Sequence, residues 1–256
     1  MSGKSVRVYG LQVVQGLVER KPHCLVRLWV RSGEDNPRLR ELLAAAADID
    51  AAVERCGADA LQRLAGSSRH QGAVAEIRPD NIHAENELET LLAAAGNQPL
   101  LLALDGVQDP HNLGACLRSA AAAGVDLVLL PRDRSADLSG AARRAAAGAA
   151  ELLPVVRVGN LARSLRRLKK AGIWLAGAAE QAPSSIHEQD LTGPLALVVG
   201  AEGDGLRRLT ADLCDYLVSI PAVGSLRSLN VSVATGVCLF EIRRQRRLGG
   251  PGDHVT

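Results

Sequence analysis

Four short, almost wholly apolar runs limit what this chain can fold into: Leu100–Leu104, Val125–Leu130, Ile173–Gly177 and Leu195–Val199. Each has strand length, and only Asp126 interrupts them with charge. Segments of helical character lie around and between them, at Leu113–Ala123, Ser139–Ala147, Leu161–Lys170 and Arg207–Leu213. A strand that is apolar throughout has no side to turn to water, so both of its faces must be covered. Helices alternating with such strands predict a parallel sheet sheathed on both faces. Ligands of sheets of this kind collect at the carboxyl ends of the strands. The polar and glycine-rich motifs of this chain follow the strand runs, which places them there.

The first part of the chain has a different texture. Val6-Arg7-Val8 opens it, Leu11–Arg20 reads as a helix stopped at Lys21-Pro22, and Leu25–Val30 reads as a strand. Pro37–Ala47 reads as a helix, Asp50–Cys56 and Ala58–Ala65 as further helical stretches, and Ala73–Ile77 as a closing strand. These make a small α/β unit over residues 1–78. Residues 79–98 are acidic and read as a linker holding one short helix, Glu85–Ala95, with Gly96-Asn97 and Pro99 as stop signals. Residues 99–247 form the parallel-sheet domain, and 248–256 a tail.

Composition narrows the function. No apolar run approaches the ~18 residues of a membrane span, so no membrane partner is expected. The 5 cysteines are scattered, form no CxxC pair and have no histidine pair at metal spacing. A reducing cytoplasmic setting without a structural metal is the expectation. Aromatics make up 2% of the chain, which argues against a protein that binds single strands by stacking on bases. The net charge of +2 announces nothing by itself. Its distribution says more, since Arg157–Lys170 carries six basic residues and no acid, and Arg243, Arg244, Arg246 and Arg247 form a second cluster. Both read either as phosphate-facing patches or as solvated helix faces.

Three constellations carry chemistry. The first follows Leu100–Leu104 and runs from Asp105 to Arg118. Asp109-Pro110 has the form of a helix cap and first helical residue, His111 reads as a turn residue, and Asn112 and Arg118 are expected near the helix start, facing the cleft. The second follows Leu195–Val199: Gly200-Ala201-Glu202-Gly203-Asp204-Gly205. Its glycines permit positive φ or close approach of backbone to a ligand. Their order is not that of a dinucleotide fingerprint, and no ribose-binding acid follows at the required distance, so a nicotinamide dehydrogenase is excluded. The third spans Ile220–Glu241, where Ser228, Asn230 and Ser232 sit in a segment otherwise suited to a core. A buried hydroxyl or amide without a partner costs roughly 1–3 kcal/mol, so these groups must bond backbone or ligand. Ser228 or Asn230 as a helix N-cap is the plainer alternative.

Taken together, NLGACLRSA, LVVGAEGDGL and IPAVGSLRSLNVSVATGVCLFE resemble, in order and spacing, the three motifs of the SpoU group of SPOUT-superfamily RNA 2′-O-ribose methyltransferases. The likeness covers about residues 98–247 and is greatest to the bacterial enzymes that methylate a guanosine of 23S rRNA. The N-terminal unit, with Tyr9-Gly10 near its start, is similar to their L30e-like substrate-binding domain. Two departures stand out: Gln12, where these proteins often carry His, and Arg227, where a smaller or acidic residue is common. The resemblance implies a C-terminal trefoil knot cradling S-adenosylmethionine against Gly200, Ile220 and Leu229, and a homodimer that completes the site. It also implies Arg118 as the catalytic arginine, with Asn112, Glu202, Ser228 and Asn230 as the other functional polar positions. A guanidinium stays protonated at any working pH, so stabilising an oxyanion or gripping a phosphate suits Arg118 better than accepting a proton. A tRNA or resistance-type rRNA methyltransferase is the alternative with the same chemistry. A non-catalytic RNA-binding protein of the same fold is the alternative of another class.

Overall fold

In the computed structural model, residues 5–33, 36–224 and 228–249 are described, and Arg227 lies outside them. The chain divides into two compact units, residues 1–81 with 147–152, and residues 82–146 with 153–256.

The first unit contains β1 (Val6–Tyr9), α1 (Leu11–Arg20), β2 (Leu25–Arg31), α2 (Pro37–Asp48), β3 (Val53–Cys56), α3 (Ala58–Ala65) and β4 (Ala73–Ile77). Its four-stranded sheet has the order β1-β4-β2-β3, with β2 and β3 parallel and the other pairs antiparallel. Alternation along the strands feeds two cores. Leu28, Val30, Ala73, Ala75 and Ile77 meet Val14, Leu17 and Val18 of α1 and Leu39 and Leu42 of α2, while Trp29 and Val74 meet Leu61 of α3. The expected helical stretch Asp50–Cys56 is corrected here. Asp50 takes a positive φ of 50° just after α2, and Val53–Cys56 then pairs with Leu28–Arg31 as an edge strand. Glu54 accepts a hydrogen bond from Trp29 Nε1 at 3.0 Å, so ladder pairing and this cross-strand bond override local helix propensity.

The second unit begins with β5 (Ile82–Ala84), α4 (Leu88–Ala94), β6 (Leu100–Asp105), α5 (Pro110–Ala122), β7 (Leu127–Pro131) and α6 (Gly140–Ala146). The chain then supplies α7 (Ala149–Leu152) to the first unit. It continues with β8 (Val155–Val158), α8 (Leu161–Lys170), β9 (Trp174–Ala178), β10 (Ser184–Ser185), β11 (Leu195–Gly200), α9 (Arg208–Leu213), β12 (Tyr216–Ser219) and α10 (Val231–Gly249). Eight strands form one sheet in the order β10-β12-β9-β11-β6-β7-β8-β5, and every pairing is parallel. The central strands β6 and β11 are buried along their whole length, as their unbroken apolar sequences require. Leu101, Ala103, Leu127 and Leu129 pack against Leu161, Leu165 and Leu168 of α8 on one face. On the other, α5 and α10 pack together, with Cys116 Sγ 3.5 Å from Thr235 Oγ1. Gly114 lets α6 approach α5, because a Cβ there would collide with the backbone of Ala142.

Residues 82–84, inside the segment read as a linker, are an edge strand of this sheet, followed by a helical turn, Glu85–Glu87. That turn explains the basic run on α8. Arg163 Nη2 lies 3.1 Å from Glu85 Oε1, and Arg167 binds both Glu85 and Glu89. Burial pushes the Glu85 carboxyl up, but bonds from Gly159 N–H, Arg163 and Ser164 outweigh it and hold it below its ordinary range. The second cluster is also engaged within the protein. Arg244 pairs with Glu241, and Arg246 donates to the carbonyls of Gln98, Pro99 and Gly193 at 3.0, 3.1 and 2.7 Å. Both clusters therefore follow the solvated or structural reading in large part.

Candidate active site

The strand-end loops converge as the parallel order predicts. After β11 the chain folds straight back, and Ala201 and Gly205 exchange two backbone hydrogen bonds at 3.0 Å each. Gly203 and Gly205 hold positive φ values of 83° and 65°, which the turn requires. Gly200 sits beneath this turn, where a Cβ would overlap the backbone of Gly205 and Leu206. Beside the turn lies a cavity of about 490 Å³ at the carboxyl ends of β9, β11 and β12, closed on one side by residues 228–231. Gly200, Glu202, Ile220, Ser228, Leu229 and Asn230 all line it.

Asn112 joins its walls. It is buried in the first turn of α5, donates from Nδ2 to Glu202 Oε2 at 2.8 Å, and accepts at Oδ1 from Asn230 Nδ2 at 3.0 Å. The direction of this chain follows from its end group. An ionised carboxylate only accepts, so Asn112 must present its amide nitrogen to Glu202 and its oxygen to Asn230. Asn230 Oδ1 is then left for the Ser232 N–H at 2.9 Å and hydroxyl at 2.6 Å. Asn230 thus caps α10 through its oxygen and bonds Asn112 through its nitrogen, so the N-cap alternative holds for this residue. Ser228 lines the cavity. Asp109 caps α5, accepting from His111 N–H at 3.0 Å, with Pro110 at the first helical position.

Arg118 corrects an expectation. It lies well along α5, not at its start, and is exposed, outside the cavity lining, without a hydrogen bond or ion pair among the described residues. The reason is helical geometry: six residues beyond Asn112, at about 100° each, it points some 240° around the helix axis. One copy of the chain therefore assembles Asn112, Glu202, Ser228 and Asn230 but leaves Arg118 apart.

Two features were missed in the sequence. Glu180, just past β9, brings a second carboxylate to the cavity. Asp105, buried at the end of β6, accepts from Arg207 N–H at 3.2 Å and from Arg207 Nε at 2.6 Å. Both acids end apolar strand runs, a signal the sequence does contain. Burial pushes the thiols of Cys116 up to about 11 and Cys238 up to about 12, so neither is a thiolate nucleophile near neutral pH. Among the described residues one potential metal-ligating trio occurs, His23, Cys24 and Asp80, in the first unit. Its carboxylate is engaged by Lys21 Nζ at 2.8 Å and His23 Nε2 at 2.6 Å. Gln12 is exposed on α1.

The cavity lies where the strands give way to loops, is walled by a carboxylate–amide relay, and has no cysteine among its described lining residues. Residues 99–240 match the SpoU rRNA Methylase family, and residues 7–83 match the family described as RNA 2′-O ribose methyltransferase substrate binding. The chain belongs to the SpoU rRNA methylase family. It is 50% identical to the 23S rRNA (guanosine-2′-O-)-methyltransferase RlmB of Photorhabdus laumondii over 239 residues, 93% of this chain and 98% of that one. Identity to RlmB of Escherichia coli K12 is 48% over 242 residues, 94% and 99% of the two chains. The structure of the SpoU methyltransferase AviRb from Streptomyces viridochromogenes, in complex with the cofactor AdoMet, superposes with a TM-score of 0.71 at 26% identity, covering 96% and 92%.

Proposed function

We propose that this chain transfers a methyl group from S-adenosylmethionine to the ribose 2′-hydroxyl of a guanosine in 23S rRNA, acting in the cytoplasm. The observation that carries the reading is the Asn230–Asn112–Glu202 relay on the wall of the strand-end cavity. The residues present suit the cofactor. The volume of about 490 Å³ falls in the range of small-molecule sites. Gly200 lets the returning turn close over the end of β11, and Ile220 and Leu229 give apolar walls. Bound there, S-adenosylmethionine supplies a methyl group already activated by its sulfonium.

The protein's own task is then alignment and charge. Orienting a reactant in this way contributes roughly 7–11 kcal/mol in favourable cases. Asn112 fixes the Glu202 carboxylate, Asn230 ties the start of α10 to the same point, and Ser228 offers a hydroxyl at the cavity edge. Arg118 of a second copy supplies the fixed positive charge that steadies the developing oxyanion or the adjacent phosphate. A homodimer fits the surface of α10, where Val233, Val237 and Phe240 form an apolar stripe at 50%, 37% and 53% exposure. Arg118 stands on α5, the helix packed against it. The remainder of the reading is that residues 1–78 bind the RNA and that the segment leading into α10 is threaded as a trefoil knot. Among the described residues no helix is long and apolar enough to cross a membrane. Incubation with labelled S-adenosylmethionine and separated 23S, 16S and transfer RNAs tests the reading. Label is expected in 23S rRNA alone, and label confined to transfer RNA would overturn the substrate.

A further inference from the structure

A second cavity, of about 370 Å³, opens at the carboxyl ends of β7 and β8. It adjoins the first: a Cβ built on Gly106 would lie 3.7 Å from Ala201, which lines the first cavity, and 3.7 Å from the carbonyl of Arg134, which lines the second. Its walls are apolar where Pro131, Leu161 and Leu209 meet, and Leu209 is 54% exposed although it is a large aliphatic residue. Asn160 in its lining caps α8, accepting from Arg163 N–H at 3.0 Å, but three other polar groups are without partners among the described residues. Asp133 and Arg134 are exposed and make no hydrogen bond or ion pair among the described residues. Thr210 is 2% exposed, lines the cavity, and its hydroxyl has no hydrogen-bond partner among the described residues. Arg207, also in the lining, is engaged by Asp105.

The segment bearing Asp133 and Arg134 is held at both ends. Ala136 N–H donates to the Val107 carbonyl at 2.8 Å, and Arg157 donates to the Arg132 carbonyl at 3.3 Å and to Asp137 Oδ1 at 2.9 Å. A fixed loop presenting an unpaired carboxylate, an unpaired guanidinium and a spare hydroxyl between apolar walls suits a planar ligand with donors on one edge and acceptors on another. The carboxylate repels a phosphate. It also disfavours adenine, whose N1 is an acceptor. Guanine meets both charges, because its N1–H and N2–H groups donate to a carboxylate while O6 and N7 accept from a guanidinium.

We propose that this second cavity is a guanine-recognition pocket, in which Asp133 and Arg134 read the base of the target guanosine while its ribose faces the neighbouring cavity. The assignment rests on the function proposed above and adds the residues that set its base specificity. The test is the specificity constant for methylation of a 23S rRNA fragment carrying guanosine or inosine at the modified position, in the wild type and in Asp133→Asn. Inosine lacks only the N2 amino group. Wild type is expected to favour guanosine by about tenfold or more, and Asp133→Asn to bring that ratio close to one while cofactor affinity is unchanged. Equal use of both substrates by the wild type, or an undiminished preference in Asp133→Asn, would overturn the pocket and leave the methyltransferase reading intact. Absence of methylation by the wild type would instead defeat that reading. The pocket is then decided by binding of guanosine 5′-monophosphate against adenosine 5′-monophosphate. A guanosine preference abolished by Asp133→Asn supports it, and equal affinities refute it.

Discussion

The two cavities on the carboxyl edge of the sheet are built from the same kind of strand ends but differ in the state of their polar groups. Over β9, β11 and β12 the relay groups are spoken for: Asn230, Asn112 and Glu202 bond one another, and Asn230 also caps α10. Over β7 and β8 the carboxylate, guanidinium and hydroxyl of Asp133, Arg134 and Thr210 have no partner among the described residues. The first arrangement fixes a shape before anything binds. The second leaves donors and acceptors vacant for a ligand that must be told from its relatives. Holding one reactant and discriminating another call for these two opposite uses of polar side chains.

The largest expected effect falls on a residue that lines neither. Arg118→Ala should lower methyl transfer by roughly a hundredfold or more with cofactor affinity nearly unchanged, read by single-turnover kinetics beside calorimetry. A parallel loss of both would make Arg118 a structural residue. Gly200→Ala should damage the first cavity alone. Its Cβ overlaps the returning turn, costing about 1–3 kcal/mol of stability and most of the cofactor binding, with guanosine monophosphate binding retained. Asn112→Asp keeps the acceptor for Asn230 but sets a second carboxylate against Glu202. Methyl transfer should fall by about tenfold at neutral pH and recover partly as pH is lowered, because like charges raise one carboxyl until the pair holds a proton. A pH profile parallel to wild type would break the relay argument.

Smaller effects are expected where charges are already paired away from both cavities. Replacing Arg163 and Arg167 by Ala should lower the melting temperature only slightly, and the salt dependence of RNA binding should keep its slope. The smallest concerns Glu241, which the hydrogen bonds and charge of Arg244 pull down from near 4.5 to about 2. A carboxylate whose folded value is depressed stabilises fully above its unfolded value and loses that contribution as pH falls toward the folded one. Glu241→Gln should therefore flatten the decline in melting temperature between about pH 4.5 and pH 2 and leave it unaltered at neutrality.

The sheet was legible where burial was complete. β6 and β11 have no polar side to hide their identity until the terminal Asp105 and Gly200. β8 and β12 escaped notice because each has only four residues, with Arg157 breaking the buried run of one and only Val218 buried in the other. β5 is three residues long in an acidic segment, and only its pairing with β8 makes it a strand. In the site, Asn112, Glu202 and Asn230 could be picked out as polar groups at strand ends. Their bonding to one another joins residues 90 and 118 positions apart, which no local pattern encodes. The facing of Arg118 could have been worked out from its distance along the helix. Asp133 and Arg134 lie in a charged turn with no periodicity, so only the folded chain brings them to Thr210.

The most direct measurement is alkaline hydrolysis of 23S rRNA after incubation with the protein and S-adenosylmethionine, resolved to single nucleotides. A 2′-O-methyl group removes the internal nucleophile that cleaves the chain. One new alkali-resistant linkage, on the 3′ side of a guanosine, is the predicted result. Methyl label incorporated without any resistant linkage would place the group on a base and contradict the account.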